Sequence, residues 1–221
     1  MKRIQAQWIS KQYGKGGAAV SALKEVSFTI DKGEFVAVMG ESGSGKSTLL
    51  SILGTLNSPT SGKLMVDDVD VYALGKDARA DFRRESIGFV FQNFNLIQYL
   101  TLTENVMLPL ATVGEKSAKK RAMAFEALER VGLSEKGGRL PSQISGGEQE
   151  RVAIARAIVG RPPIILADEP TGNLDSKTGK EIMGIVNTLN GEGMTIVMVT
   201  HNPDYAAYAN RVLRVADGVL M

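Results

Sequence analysis

Phe35-Val36-Ala37-Val38-Met39 is an apolar run without polar alternation, and Gly40-Glu41-Ser42-Gly43-Ser44-Gly45-Lys46-Ser47-Thr48 follows it at once. No other segment constrains the fold so strongly. An uninterrupted apolar strand suits a parallel sheet covered on both faces. The glycines let backbone amides close around an anion, and a helix beginning near Lys46 turns its positive dipole end toward the same point. Gly40, four residues, Gly45, Lys46 and Ser47 thus form a phosphate-binding loop in its strand-loop-helix setting. Lys46 is expected to neutralise the outer phosphates and Ser47 to ligate magnesium.

Two further runs barely alternate, Ile164 to Ala167 and Thr195 to Thr200. Both suit buried parallel strands, each followed by a plausible helix. The first ends in Asp168 and Glu169, which puts two carboxylates where parallel sheets bind ligands. Adjacent strand residues point to opposite faces. Asp168 is therefore assigned to magnesium, through water, and Glu169 to polarising or deprotonating the attacking water. Taken alone, an acidic pair at a strand end more often caps a helix.

The chain has 221 residues, 43% of them hydrophobic, enough for the core of one α/β domain spanning 1–221. Lys and Arg number 26 against 24 Asp and Glu. A net charge of +2 makes no case for a nucleic-acid partner. Cysteine is absent, which removes disulfides and thiolate chemistry. No stretch approaches the ~18 apolar residues of a spanning helix, so a membrane role requires a partner subunit.

Polar and apolar residues alternate from Lys2 to Ile9 and from Val26 to Ile30, as in two half-buried strands joined by a loop around Gly14 to Gly17. From about Thr101 to Arg139 the composition turns to Ala, Lys, Glu, Arg and Leu, with helical spacing strongest over Ser117 to Val131. That change predicts a helical subdomain, approximately 93–160, inserted in the α/β core. It leads into Ile144-Ser145-Gly146-Gly147-Glu148-Gln149-Glu150-Arg151, continuing to Ala157. Ser145 reads as the N-cap of a helix with an acidic first turn, and so as a second possible anion site.

These motifs, in this order and over essentially the whole chain, resemble the ATP-binding subunits of ABC transporters. The phosphate loop matches their Walker A motif, the strand ending in Asp168 and Glu169 their Walker B motif, and Ser145, Gly146, Gly147 and Glu148 their signature. The resemblance implies an amino-terminal antiparallel β subdomain and a RecA-like, mostly parallel core. It also implies a head-to-tail homodimer in which the signature of one protomer touches the γ-phosphate of ATP on the other. Gln92 resembles the Q-loop residue that senses magnesium or water, Asp175 the end of the D-loop, and His201 the switch histidine. Tyr13 resembles the aromatic that stacks on adenine, with Trp8 as a competitor.

Phe91 to Ile97, Leu102 to Leu110 and Pro162 to Ser176 are most similar to the ATPases of lipoprotein-release and macrolide-efflux systems. That likeness implies membrane permease partners, an exporter or mechanotransmission role, and a place on the cytoplasmic face of the membrane. Phe94, Leu96 and Ile97 belong either to a groove for a permease coupling helix or to the core. The sequence departs from commoner relatives at Gln98, Ile144, Glu148 and Glu150, none of which is a proposed catalytic contact. A soluble ABC ATPase acting on ribosomes or chromosomes is the alternative, although such chains commonly carry two units or a coiled coil. An ATP-dependent dimerisation module without hydrolysis is another, and the presence of Glu169 and His201 argues against it.

Overall fold

The computed structural model describes residues 2–14 and 19–221. Two long strands, β1 (Lys2–Tyr13) and β2 (Val20–Asp31), precede β3 (Phe35–Met39), which leads into α1 (Lys46–Leu53). A short pair, β4 (Ser61–Val66) and β5 (Val69–Asp70), is followed by α2 (Lys76–Ser86) and β6 (Ile87–Val90). Three helices come next: α3 (Leu102–Met107), α4 (Ser117–Arg130) and α5 (Gly146–Ile158). The chain then alternates through β7 (Ile164–Asp168), α6 (Ser176–Gly191), β8 (Thr195–Val199) and α7 (Pro203–Ala206), before the hairpin of β9 (Arg211–Ala216) and β10 (Val219–Leu220). No helix among the described residues is long and apolar enough to cross a membrane.

Strand order in the main sheet is β10-β9-β3-β8-β7-β6, parallel throughout except for β10 at the edge. The apolar runs are buried along almost their whole length because both of their faces are covered. Val36 and Val38 of β3 join Ile164, Leu166, Val197 and Val199 in one core, with α1 and the antiparallel sheet. Phe35, Ile165, Ala167, Ile196 and Met198 point the other way, onto α5, α6 and the helices beyond. The period-two alternation of strand side chains thus divides each strand between two cores.

The second sheet is antiparallel, ordered β2-β1-β4-β5. Its first two strands run further than alternation predicts. Trp8 and Glu25 take φ of 54° and 52°, and the register slips between Ala6 and Ile9. Such bulges displace the hydrophobic period by one residue, which hides the continuation of a strand from a pattern search. Serine hydroxyls take up freed amides: Trp8 N–H donates to Ser27 Oγ at 2.8 Å and Glu25 N–H to Ser10 Oγ at 3.0 Å. Gly14 ends this ribbon with φ 80°, and the rest of the predicted glycine loop lies outside the described residues.

Residues 101–139 hold α3, α4 and short 3-10 turns. α3 begins at a capping box, Thr101 with Glu104. Fully buried Asn105 ties down the preceding loop, donating from Nδ2 to the carbonyls of Ile97, Leu100 and Thr101 and accepting from Ile97 N–H. Leu96 is core and Phe94 packs partly buried against that core. Of the two readings open for this segment, Leu96 takes the second.

Candidate nucleotide site

All parallel strands end on one edge of the sheet, and that edge collects the polar residues. Gly45 caps α1 without any side-chain bond, in the left-handed region at φ 108°. A Cβ there would also lie 2.4 Å from the Ala22 carbonyl oxygen, so only glycine fits. At Gly40 a Cβ would meet the Val215 carbonyl at 2.1 Å, which shows how closely β9 supports the loop. The first-turn amides of α1, at Lys46, Ser47 and Thr48, have no carbonyl one turn back to bond and point into the cleft.

Lys46 is only 8% exposed. Its ammonium donates to the carbonyls of Gly40 at 2.8 Å and Glu41 at 2.7 Å, curling the loop around its own cation. Inside the loop, Ser44 Oγ is buried without a hydrogen-bond partner among the described residues. A cation, free helix-start amides and an orphan hydroxyl are what an acceptor-rich polyphosphate satisfies.

At the end of β7 the two carboxylates diverge. Ser47 Oγ donates to Asp168 Oδ1 at 3.4 Å. Burial raises the Asp168 pKa, the Ser47 hydrogen bond opposes that shift, and the neighbouring Glu169 charge adds to it. Glu169 takes φ 46°, a conformation that costs a non-glycine residue free energy and is common at functional sites. Its amide donates to the Val199 carbonyl at 3.0 Å. Its carboxylate lies between Gln92 Nε2, 3.2 Å from Oε2, and His201 Nδ1, 3.2 Å from Oε1. Asn173 Nδ2 donates to the Gln92 carbonyl at 2.9 Å and fixes the backbone behind this contact.

A cleft of about 470 Å³ therefore gathers Gly40, Ser42, Gly43, Gly45, Lys46, Ser47, Thr48, Gln92, Glu169 and His201. Ala22 of β2 forms part of its wall and was not foreseen in the sequence. It offers no chemical group to a motif search. No cluster of three or more His, Cys, Asp or Glu among the described residues could cage a metal. Ser47 and Asp168 suit an ion such as magnesium, which keeps waters and uses few protein ligands beside substrate phosphates.

The remaining predicted residues lie outside this cleft. Ser145 caps α5: its Oγ accepts from Glu148 N–H at 3.3 Å, while Glu148 Oε2 accepts from Ser145 N–H at 2.8 Å. Lys136 ion-pairs with the same Glu148 carboxylate and, with the Ser145 amide, pulls its pKa down to about 2. Glu148 is thus engaged in building the cap. Gly146 lies 3.9 Å, measured from a notional Cβ, from Leu174, and Gly147 would clash with Thr178 if it carried one. Asp175 caps α6 by accepting from the amides of Lys177 and Thr178, both at 3.0 Å.

Tyr13 ends β1 opposite Val20, and Gln12 and Lys11 pair with the neighbours of Ala22. Its ring is 42% exposed, with Lys11 Nζ 5.0 Å from the ring centroid. Trp8 sits at the bulge, further along the strand from that wall, and is 67% exposed.

A glycine loop at the end of a buried strand, closed by a lysine and faced by a carboxylate between Gln and His, defines a phosphate-loop nucleotide-binding cassette. The chain belongs to the ABC transporter family, whose model matches residues 23–172. It is 49% identical to the ABC transporter ATP-binding protein YvrO of Bacillus subtilis over 96% of this chain and 93% of that protein. It is 44% identical to the macrolide export ATP-binding/permease protein MacB of Neisseria meningitidis serogroup B, over the whole of this chain but 34% of that one. The chain spans about a third of the macrolide exporter's length. A dimeric post-hydrolysis structure of the ATP-binding cassette MJ0796, bound to ADP and Pi, superposes with a TM-score of 0.90 at 44% identity. The match covers 98% of this chain and 96% of that one.

Proposed function

We propose that this chain binds MgATP and hydrolyses it to ADP and phosphate, as the ATP-binding subunit of a transporter whose membrane part is a separate permease. The observation that carries this reading is Glu169, held between Gln92 and His201 at the rim of the phosphate cradle. In the proposed reaction the loop amides and Lys46 bind the β- and γ-phosphates. Glu169 accepts a proton from the attacking water, Gln92 orients that water, and His201 steadies the γ-phosphate from the opposite rim. Magnesium, when bound, would be held by Ser47, by Asp168 through water and by Gln92, and would neutralise phosphate charge. Phosphate release from MgATP by the purified chain tests the reading; no release above background overturns it.

The signature loop lies outside its own chain's cleft, and this supports a composite site. In a head-to-tail homodimer, Ser145, Gly146 and Gly147 meet the γ-phosphate held by the partner, with Asp175 at the crossing. Ser145→Arg is expected to abolish ATP-driven dimerisation, read as mass by light scattering, while nucleotide affinity of the monomer stays within about twofold. Normal dimers from this variant would remove the cross-protomer role.

Tyr13 is the reading for the adenine platform, supported by its place beside the cleft wall. Tyr13→Ala should weaken ATP binding by roughly 5- to 150-fold, the scale of about 1–3 kcal/mol for base stacking. Trp8→Ala should leave the dissociation constant nearly unchanged; the reverse ranking assigns the platform to Trp8.

An apolar groove lined by Leu56, Phe89, Phe91 and Pro109, with Arg83 and Arg84 at its edge, suits a short amphipathic helix of the permease. The macrolide exporter carries ATP-binding and permease parts in one named protein, which supports an exporter or mechanotransmission role and attachment at the cytoplasmic membrane face through that partner.

A further inference from the structure

Arg156 on α5 lies between the groove and the Gln92 segment. It forms part of the groove wall, and its two terminal nitrogens donate to the Phe94 and Asn95 carbonyls, each at 2.5 Å. Phe94 and Asn95 have φ of 58° and 49°. Asn tolerates the left-handed region, but a bulky Phe does not, so Phe94 is held there by its surroundings and not by its own preference. Two residues upstream, the Gln92 side chain contacts Glu169. The guanidinium therefore fixes the turn on which the catalytic contact hangs.

Glu150, on the same helix, is fully buried, and neither carboxylate oxygen has a hydrogen-bond partner among the described residues. Several charged groups on and around α5 are bonded elsewhere, although Arg151 Nε is itself buried without a hydrogen-bond partner among the described residues. Glu148 pairs with Lys136, Arg151 with Glu181, Arg130 with Glu192 and Arg161 with Glu126. Glu104 of α3 is in its own capping box. Arg156 alone bears electrostatically on Glu150 among the described residues, and burial, the dominant influence, pushes the Glu150 carboxyl up to about 9. Burial also lowers the Arg156 pKa, with Glu150 opposing that shift. A buried carboxylate is tolerated only when a cation pairs with it, so ionised Glu150 has one cation to recruit.

We propose that Arg156 is a positioning residue for hydrolysis and Glu150 its alternative partner: uncharged Glu150 leaves Arg156 on the Phe94–Asn95 turn, and ionised Glu150 draws it away. The inference rests on the catalytic reading of Gln92 and Glu169. It makes α5, which also carries the signature, the element that sets Gln92 against the base.

The test follows amide exchange by mass spectrometry over residues 92–97, corrected for intrinsic base catalysis, together with phosphate release, from pH 7 to 10. Arg156→Met should speed that exchange tenfold or more. It should also lower kcat by about tenfold with KM for ATP within about twofold, as expected for displaced groups outside the phosphate loop. In wild type, exchange should quicken and kcat fall as the pH passes about 9; Glu150→Gln, of the same shape and without the charge change, should lack both responses. Wild-type exchange rates in Arg156→Met overturn the positioning role. Identical alkaline curves for wild type and Glu150→Gln overturn the partnership, including where Arg156→Met does not fold. Exchange behaving as expected in a wild type that releases no phosphate would leave this device standing and sink the ATPase reading instead.

Discussion

Glu169→Gln should bind MgATP with near-wild-type affinity, release phosphate about a thousandfold more slowly, and accumulate as a dimer in MgATP. The substitution preserves the length of the side chain, and the phosphate cradle formed by Lys46 and the α1 amides does not touch it. What it removes is the proposed proton acceptor. Loss of a positioned base typically costs a factor of about 10²–10⁴. The amide also changes the partners on both sides, since Gln92 donates to one Glu169 oxygen and His201 faces the other. In the proposed sandwich, hydrolysis is the step that releases the two protomers, so blocking it should trap the dimer. Phosphate release and light-scattering mass, measured on the same preparation, check both halves. Equal turnover by variant and wild type would remove Glu169 as base and point to substrate-assisted proton transfer.

Lys46→Ala should fail earlier, at binding. The ammonium is nearly enclosed and already aims into the loop through two carbonyl contacts. Hydrogen bonds to charged groups contribute about 1.5–3 kcal/mol each, so losing two phosphate contacts should raise the ATP dissociation constant by roughly 10²–10⁴-fold. The apo protein should also lose some stability, because the ammonium's bonds to the Gly40 and Glu41 carbonyls go with it. The melting temperature without nucleotide should accordingly fall, while the rise on adding ATP, which reports ligand binding to the folded state, should largely vanish. An unchanged ATP-induced rise would mean that the loop amides alone hold the phosphates.

The phosphate loop, the acidic pair and the three buried strands were legible in the sequence because each is local. Covering both faces of β3, β7 and β8 leaves an apolar run that nothing interrupts, and loop chemistry is written in consecutive residues. The bulges at Trp8 and Glu25 made β1 and β2 partly illegible, since each reverses the face on which apolar residues fall. Ala22 and Val215 were invisible for another reason. They shape the site through backbone and close approach, which leave no mark on residue type. Glu148 sits beside the signature glycines in sequence, yet Lys136, at the end of the 3-10 turn Ser134–Lys136, holds its carboxylate with the helix cap. The burial of Glu150 is likewise a tertiary fact, set by helices packed against α5.

The turn of the final hairpin has a consequence for how the site is made. Gly218 donates its N–H to the Ser44 carbonyl at 3.0 Å and accepts from Lys24 N–H at 2.8 Å, so it joins the phosphate loop to the antiparallel sheet. Val215, on the neighbouring strand, closes against Gly40. A nascent chain that has extended through His201 already contains every side chain of the reaction, yet the shelf beneath its phosphate loop has not been synthesised. Closing so long a loop is a slow kind of contact to form. Nucleotide binding should therefore be among the last properties the folding chain acquires, although the residues of its phosphate loop lie far ahead of that shelf in the chain.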